Sequence, residues 1–144
     1  MADLLKFSIP GKPQYVSVVR MAVSSAANAA GLSVEDIEDV KIAVSEVCTH
    51  IFCGNNDRTY EVSCLIDDES MTISIDDVEE EADVESDQMR ECFCLPVSEY
   101  LLPADEFDPS ACMIMLRALM DQVNIFSWRN RDVLIKMIKN FSRE

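Results

Sequence analysis

Between Ser33 and Ile51 the apolar residues Ile37, Val40, Val44, Val47, Cys48 and Ile51 recur at spacings of 3, 4, 3, 1 and 3. That rhythm is the stripe of one helix face. Such a stripe has to be covered, so the rest of the chain must supply an apolar layer to receive it. Ser33 has the chemistry of an N-cap, and Asp36 three residues on resembles a capping box. Gly54-Asn55-Asn56-Asp57 breaks the helix with strong turn residues. Glu35, Asp39, Ile42, Glu46 and His50 fall on another face. Glu46 precedes the chain's only histidine, His50, by four residues, which puts the two on one face. Three readings are open: an acid/base pair, half of a metal site, or two polar residues on a wet surface. The metal reading needs a third donor, and Cys53 is the nearest candidate.

The covering layer is written in strands. Leu4 to Ile9 reads as a strand ended by Pro10-Gly11. Pro13 can open a first helix running to Ala30, with Gly31 as its C-cap. Thr59 to Ile66 alternates, with Tyr60, Val62 and Cys64 on one side, and Met71 to Ile75 follows after a hairpin turn at Asp67-Asp68-Glu69-Ser70. From Asp67 to Glu91 there is one base, Arg90, among twelve acids. Such a run marks a solvated loop, placed at about 76–106. A short helical turn is expected at Pro96 to Tyr100. Asp108 and Pro109 then look like the N-cap and first residue of a helix running to Asp121. Its methionines, Met113, Met115 and Met120, read as core filling. Val123 to Trp128 and Val133 to Ile138 are the last strands. The order β-α-α-β-β-(α)-α-β-β predicts an α+β two-layer sandwich, with helices on one face of a mostly antiparallel sheet.

The 144 residues suit one domain, 1–144, and need no disulfide or structural metal to fold. The six cysteines form no C-x-x-C pair, and the lone C-x-C at Cys92 and Cys94 has no second pair to complete a zinc site. Without a basic, then apolar, N-terminal signal they read as reduced, mostly buried thiols of a cytoplasmic protein. No apolar run approaches the ~20 residues of a membrane span. The net charge of −15 repels nucleic acid and anionic lipid.

Phe7-Ser-Ile-Pro-Gly-Lys-Pro-Gln-Tyr-Val-Ser-Val-Val-Arg20, then Ala30-Gly-Leu-Ser-Val-Glu-Asp-Ile-Glu-Asp-Val-Lys-Ile-Ala-Val-Ser-Glu-Val-Cys-Thr49, resemble the RsbW-type anti-sigma factor serine kinases of bacteria, and Leu119-Met-Asp-Gln-Val123 is similar to their last helix-to-strand step. The resemblance implies the GHKL fold of histidine-kinase-like ATPases. It implies a protein that holds a sigma factor inactive, phosphorylates a serine of an anti-anti-sigma (STAS) partner with ATP and Mg²⁺, and forms a homodimer. It implies no direct nucleic-acid or membrane contact.

Carried over by position, the family's Ser-Glu-x-x-Thr-Asn motif makes Glu46 the base and puts His50 where an Asn oxygen ligates Mg²⁺. Magnesium prefers oxygen donors, and imidazole suits softer metals. The family's Asp-x-Gly motif makes Asp77 the adenine ligand, with Glu79 where glycine is expected; a one-residue slip would put Asp76 there. The Gly-Gly-Leu-Gly phosphate cradle falls on Pro109, Ser110, Ala111 and Cys112, and proline has no N–H to offer. The three glycines, Gly11, Gly31 and Gly54, lie outside these motifs. Gln14, Tyr15, Ser17 and Arg20 match the family's partner-binding surface. The reading is an anti-sigma-like regulator whose ATP binding and kinase activity are weakened or lost; the alternative is an active serine/threonine protein kinase acting on an anti-anti-sigma factor.

Overall fold

The computed structural model describes residues 2–52, 57–78, 90–91, 109–128 and 131–141. The chain opens with β1 (Asp3–Pro10), a single tight turn at Pro13–Tyr15, α1 (Val16–Ala30) and α2 (Val34–Ile51). Then come β2 (Thr59–Ile66), β3 (Ser70–Asp77), the two-residue β4 (Arg90–Glu91), α3 (Pro109–Leu119), β5 (Gln122–Trp128) and β6 (Arg131–Asn140). The described strands form one sheet in the order β1-β2-β3-β6-β5-β4. Every ladder in it is antiparallel.

Alternation decides which face is covered. Tyr60, Val62, Cys64 and Ile66 of β2 are buried, and so are Met71, Ile73, Ile75 and Asp77 of β3 and Ile135, Met137 and Lys139 of β6. The apolar ones among them meet Val19, Val23 and Ala27 of α1 and Val40, Ala43, Val44, Val47 and Cys48 of α2 in one core. The α2 stripe is thus covered by the sheet, as its sequence demands. α1 packs along α2, and α3 packs on α2 and β5. Of the methionines in and after α3, Met120 is buried and Met115 half-buried, while the side chain of Met113 lies outside the described residues.

The caps form as the sequence suggests. Ser33 Oγ accepts from the Asp36 N–H at 3.1 Å. Gly31 ends α1 with φ 91°, a conformation that favours glycine, and the Leu32 N–H reaches back to Ala27 O at 3.2 Å. Asp67 makes the hairpin turn: its Oδ1 accepts from the Glu69 N–H at 2.8 Å and the Ser70 N–H at 2.7 Å. Those backbone donors, Glu69 first, hold its carboxyl below the usual range.

Several boundaries differ from the sequence reading. Pro13–Tyr15 is a 3-10 turn, and α1 proper starts at Val16. β3 runs on through Asp76 and Asp77, so any acidic loop starts after Asp77, not at 76. Charge alone misplaced that boundary, because Asp77 continues the inward phase of Met71, Ile73 and Ile75. α3 stops at Leu119, since the Asp121 N–H already donates to Ile138 O of β6 at 2.9 Å. β6 starts at Arg131 and extends to Asn140. The turn expected at Pro96 to Tyr100 lies outside the described residues.

Candidate functional site

The last turns of α2 carry Glu46 and His50. Phe52, just past the helix, stacks at 5.2 Å between ring centroids on Tyr60 of β2. Tyr60 in turn pairs with Asp77 at the end of β3. These contacts gather the end of α2, the start of β2 and the end of β3 at one end of the molecule. The residues that the family motifs pick out on α2 and β3 therefore share that end.

The histidine is not on a wet surface. His50 is 7% exposed, and its Nε2 lies 3.2 Å from Glu46 Oε1, whose own side chain is 28% exposed. That removes the reading of an ordinary solvated pair. One helical turn separates the two residues, so the contact is local to α2 and is set by the helix itself. Among the described residues no three His, Cys, Asp or Glu side chains gather to hold a metal, and Cys53 lies outside them.

Asp77 is fully buried. Arg58 Nη1 donates to its Oδ2 at 3.4 Å, reaching across from the residue before β2. The sequence reading missed Arg58. Its one signal is weak: it is the sole cation between Gly54 and β2. Asp76, the alternative adenine residue, points to the other side of the strand and is half-buried.

Pro109 is the first residue of α3, with Ser110, Ala111 and Cys112 in its first turn. Their backbone starts a helix, as a phosphate cradle requires, but its first N–H is missing at Pro109.

A second buried charge lies at the other end of α2. Lys139 of β6 is 9% exposed. Its Nζ donates to Leu119 O, the last carbonyl of α3, at 2.6 Å and to Asp39 at 3.1 Å, with Asp36 at 3.8 Å. One ammonium thus joins the start of α2, the end of α3 and the sheet. Sequence reasoning missed it, although Lys139 stands in phase with the inward Ile135 and Met137.

Gln14 and Ser17 are exposed; Tyr15 and Arg20 are half-buried, and Tyr15 packs against the core. They cluster at the start of α1, beside the exposed Val18 and Met21. Residues 4–34 contain Lys6, Lys12 and Arg20 and no acid, in a chain of 27 acids. Among the described residues neither Lys12 nor Arg20 forms an ion pair. Away from both charged pairs, a groove of about 550 Å³ runs between β1 and α1, lined by Leu4, Leu5, Ala26, Ala29 and Ile66.

An antiparallel sheet with helices on one face, and polar pairs where α2 meets the start of β2 and the end of β3, make an α+β two-layer domain. Residues 9–139 match the family model described as histidine kinase-like ATPase domain. The serine-protein kinase RsbW of Bacillus licheniformis (strain ATCC 14580) is 31% identical over 99% of this chain and 89% of that protein. Serine-protein kinase RsbW of Listeria monocytogenes serotype 4a is 41% identical over 81 residues, 54% of this chain. That of Bacillus pumilus is 43% identical over 65 residues, 42% of this chain and 40% of the relative. The chain spans about half the length of the Listeria relatives it matches, 52%. The chain belongs to the histidine kinase-like ATPase family, among its RsbW-type members.

Proposed function

We propose that this protein is an anti-sigma-type regulator of a bacterial partner-switching system that works by contact. It binds a sigma factor, an anti-anti-sigma (STAS) protein or both, acts in the cytoplasm as a homodimer, and has weakened or lost its use of ATP. The family supports the partner class. The acid-free start of α1, with Gln14, Tyr15, Ser17 and Arg20, supports the docking surface.

The single observation that carries the loss of ATP chemistry is the Glu46–His50 contact at 3.2 Å. At the position of the metal ligand stands a buried imidazole held by the carboxylate that should act as base. Magnesium wants oxygen donors in near-octahedral geometry, which this pair does not offer. The cradle adds to the misfit, since Pro109 has no N–H for a phosphate. The residues present do not fit Mg²⁺·ATP, and no phosphotransfer step is derived through it.

A second reading, an active serine/threonine kinase, is favoured by the retention of Glu46 and of a buried Asp77. One experiment separates the two. The chain is mixed with the sigma factors and STAS proteins of its own genome, with and without ATP and Mg²⁺. A stoichiometric complex unchanged by nucleotide is expected. Mg²⁺-dependent micromolar ATP binding with phosphate transfer to a STAS serine would establish the kinase instead. Failure to bind any of these proteins would remove the regulator reading.

A further inference from the structure

Arg58 is the residue that no motif accounts for. A carboxylate that is fully withdrawn from water requires donors, because an uncompensated buried charge is strongly disfavoured. Asp77 receives one from Arg58 at 3.4 Å. The guanidinium is a forked, permanently charged donor, the best that a chain can present to a carboxylate. The backbone fixes its reach: Arg58 O accepts from the Gly11 N–H at 2.8 Å, which pins the residue between β1 and β2. Tyr60, two residues on, pairs with Asp77 across the ladder. The arginine is thus carried to Asp77 by the same strand that lies beside it.

A purine amino group approaching Asp77 would offer a neutral N–H to an acceptor already met by a cationic one. Charge-assisted hydrogen bonds are about twice as strong as neutral ones. A base donating to Oδ2 would have to compete with Arg58 for that oxygen.

We propose that Arg58 is an internal cap on Asp77: it supplies from within the chain, at Oδ2, the donor that an adenine amino group would otherwise supply, and so disfavours the base there. The inference deepens the reading that the site has given up ATP, and rests on it. It assigns that effect to one side chain, independently of the metal position and of the phosphate cradle.

Adenosine, which carries the amino donor but no phosphate and needs no metal, tests this on the full-length protein. Inosine, with an oxygen acceptor in place of the amino group, is the control. Melting is followed for the wild type, Arg58→Ala and Arg58→Met, the last keeping an apolar stem without a donor. The wild-type Tm is expected to ignore both nucleosides. The two variants are expected to melt lower than wild type and to recover part of the loss with adenosine but not with inosine. A folded variant that responds to neither nucleoside overturns the cap while leaving the contact-only regulator standing. A wild-type Tm that rises with adenosine overturns both the cap and the loss of base recognition. Should neither variant fold, the Arg58 Nε–H resonance of the wild type decides the matter. It stays in place under adenosine if Arg58 is a cap, and it moves if the base competes for Asp77.

Discussion

Buried ionisable residues separate fold from function most clearly in this chain. Cys48 and Cys64 are buried thiols. Burial pushes Cys48 up to about 12 and Cys64 up to about 11. Neither presents a thiolate near neutrality, so both are inert in the folded state. Thiol labelling at pH 8, read by mass spectrometry, is expected to spare these two until denaturant is added. The sign of the linked pH effect follows. Their folded values lie above the unfolded ones, so this stability is complete below the ordinary thiol value of about 8.5. It falls as pH climbs from there toward 11 and 12, because the unfolded chain releases those protons first. Urea midpoints at pH 8 and pH 10.5 should show it, with a Cys48→Ala, Cys64→Ala variant flatter over the same range. Lys139 is the other informative residue. Lys139→Met keeps the stem and removes donors to Leu119 O and Asp39, so a loss of about 2 kcal/mol is expected in urea unfolding. Lys139→Arg should recover part of it.

At the scale of elements, much was legible and the misses have physical causes. The α2 stripe, the Ser33 cap, the Gly31 stop and the β2–β3 hairpin all rest on contacts within a few residues, which a linear reading can follow. Arg58–Asp77 spans 19 residues and Lys139–Asp39 spans 100, so neither pair could be read from spacing. The length of β3 was missed for a different reason. Charge marks Asp76 and Asp77 as loop residues, whereas the strand's alternation governs them. The placement of Glu46, His50 and Asp77 at one end was legible only through the family resemblance, and the Arg58 that meets Asp77 was not legible at all. Two substitutions test the elements themselves. Ile73 lies wholly buried in the middle of β3, and Ile73→Ala is expected to cost about 3 kcal/mol by leaving a cavity between sheet and helices. At Gly31 a Cβ meets no atom within 4 Å, so Gly31→Ala should cost only about 1 kcal/mol, all of it from the left-handed backbone.

At the scale of the whole molecule, the net charge of −15 on 144 residues opposes its own compaction. Added sodium chloride should therefore raise the Tm, most of the gain coming below about 0.2 M as the screening length shortens to below 10 Å. A Tm that falls over that range would show that attractive pairs, such as Lys139 with Asp39, outweigh the repulsion. No helix among the described residues is long and apolar enough to cross a membrane.

The acid-free run from Leu4 to Val34 bears on how such a molecule meets another. With three cations and no carboxylate over residues 4–34, and all of the 27 acids but Asp3 further along the chain, the charge is unevenly spread. A charged body drifting past feels a torque before it feels a contact. Long-range orientation then presents the exposed Val18 and Met21, with Arg20 between them, to bodies of negative sign and turns them away from bodies of positive sign.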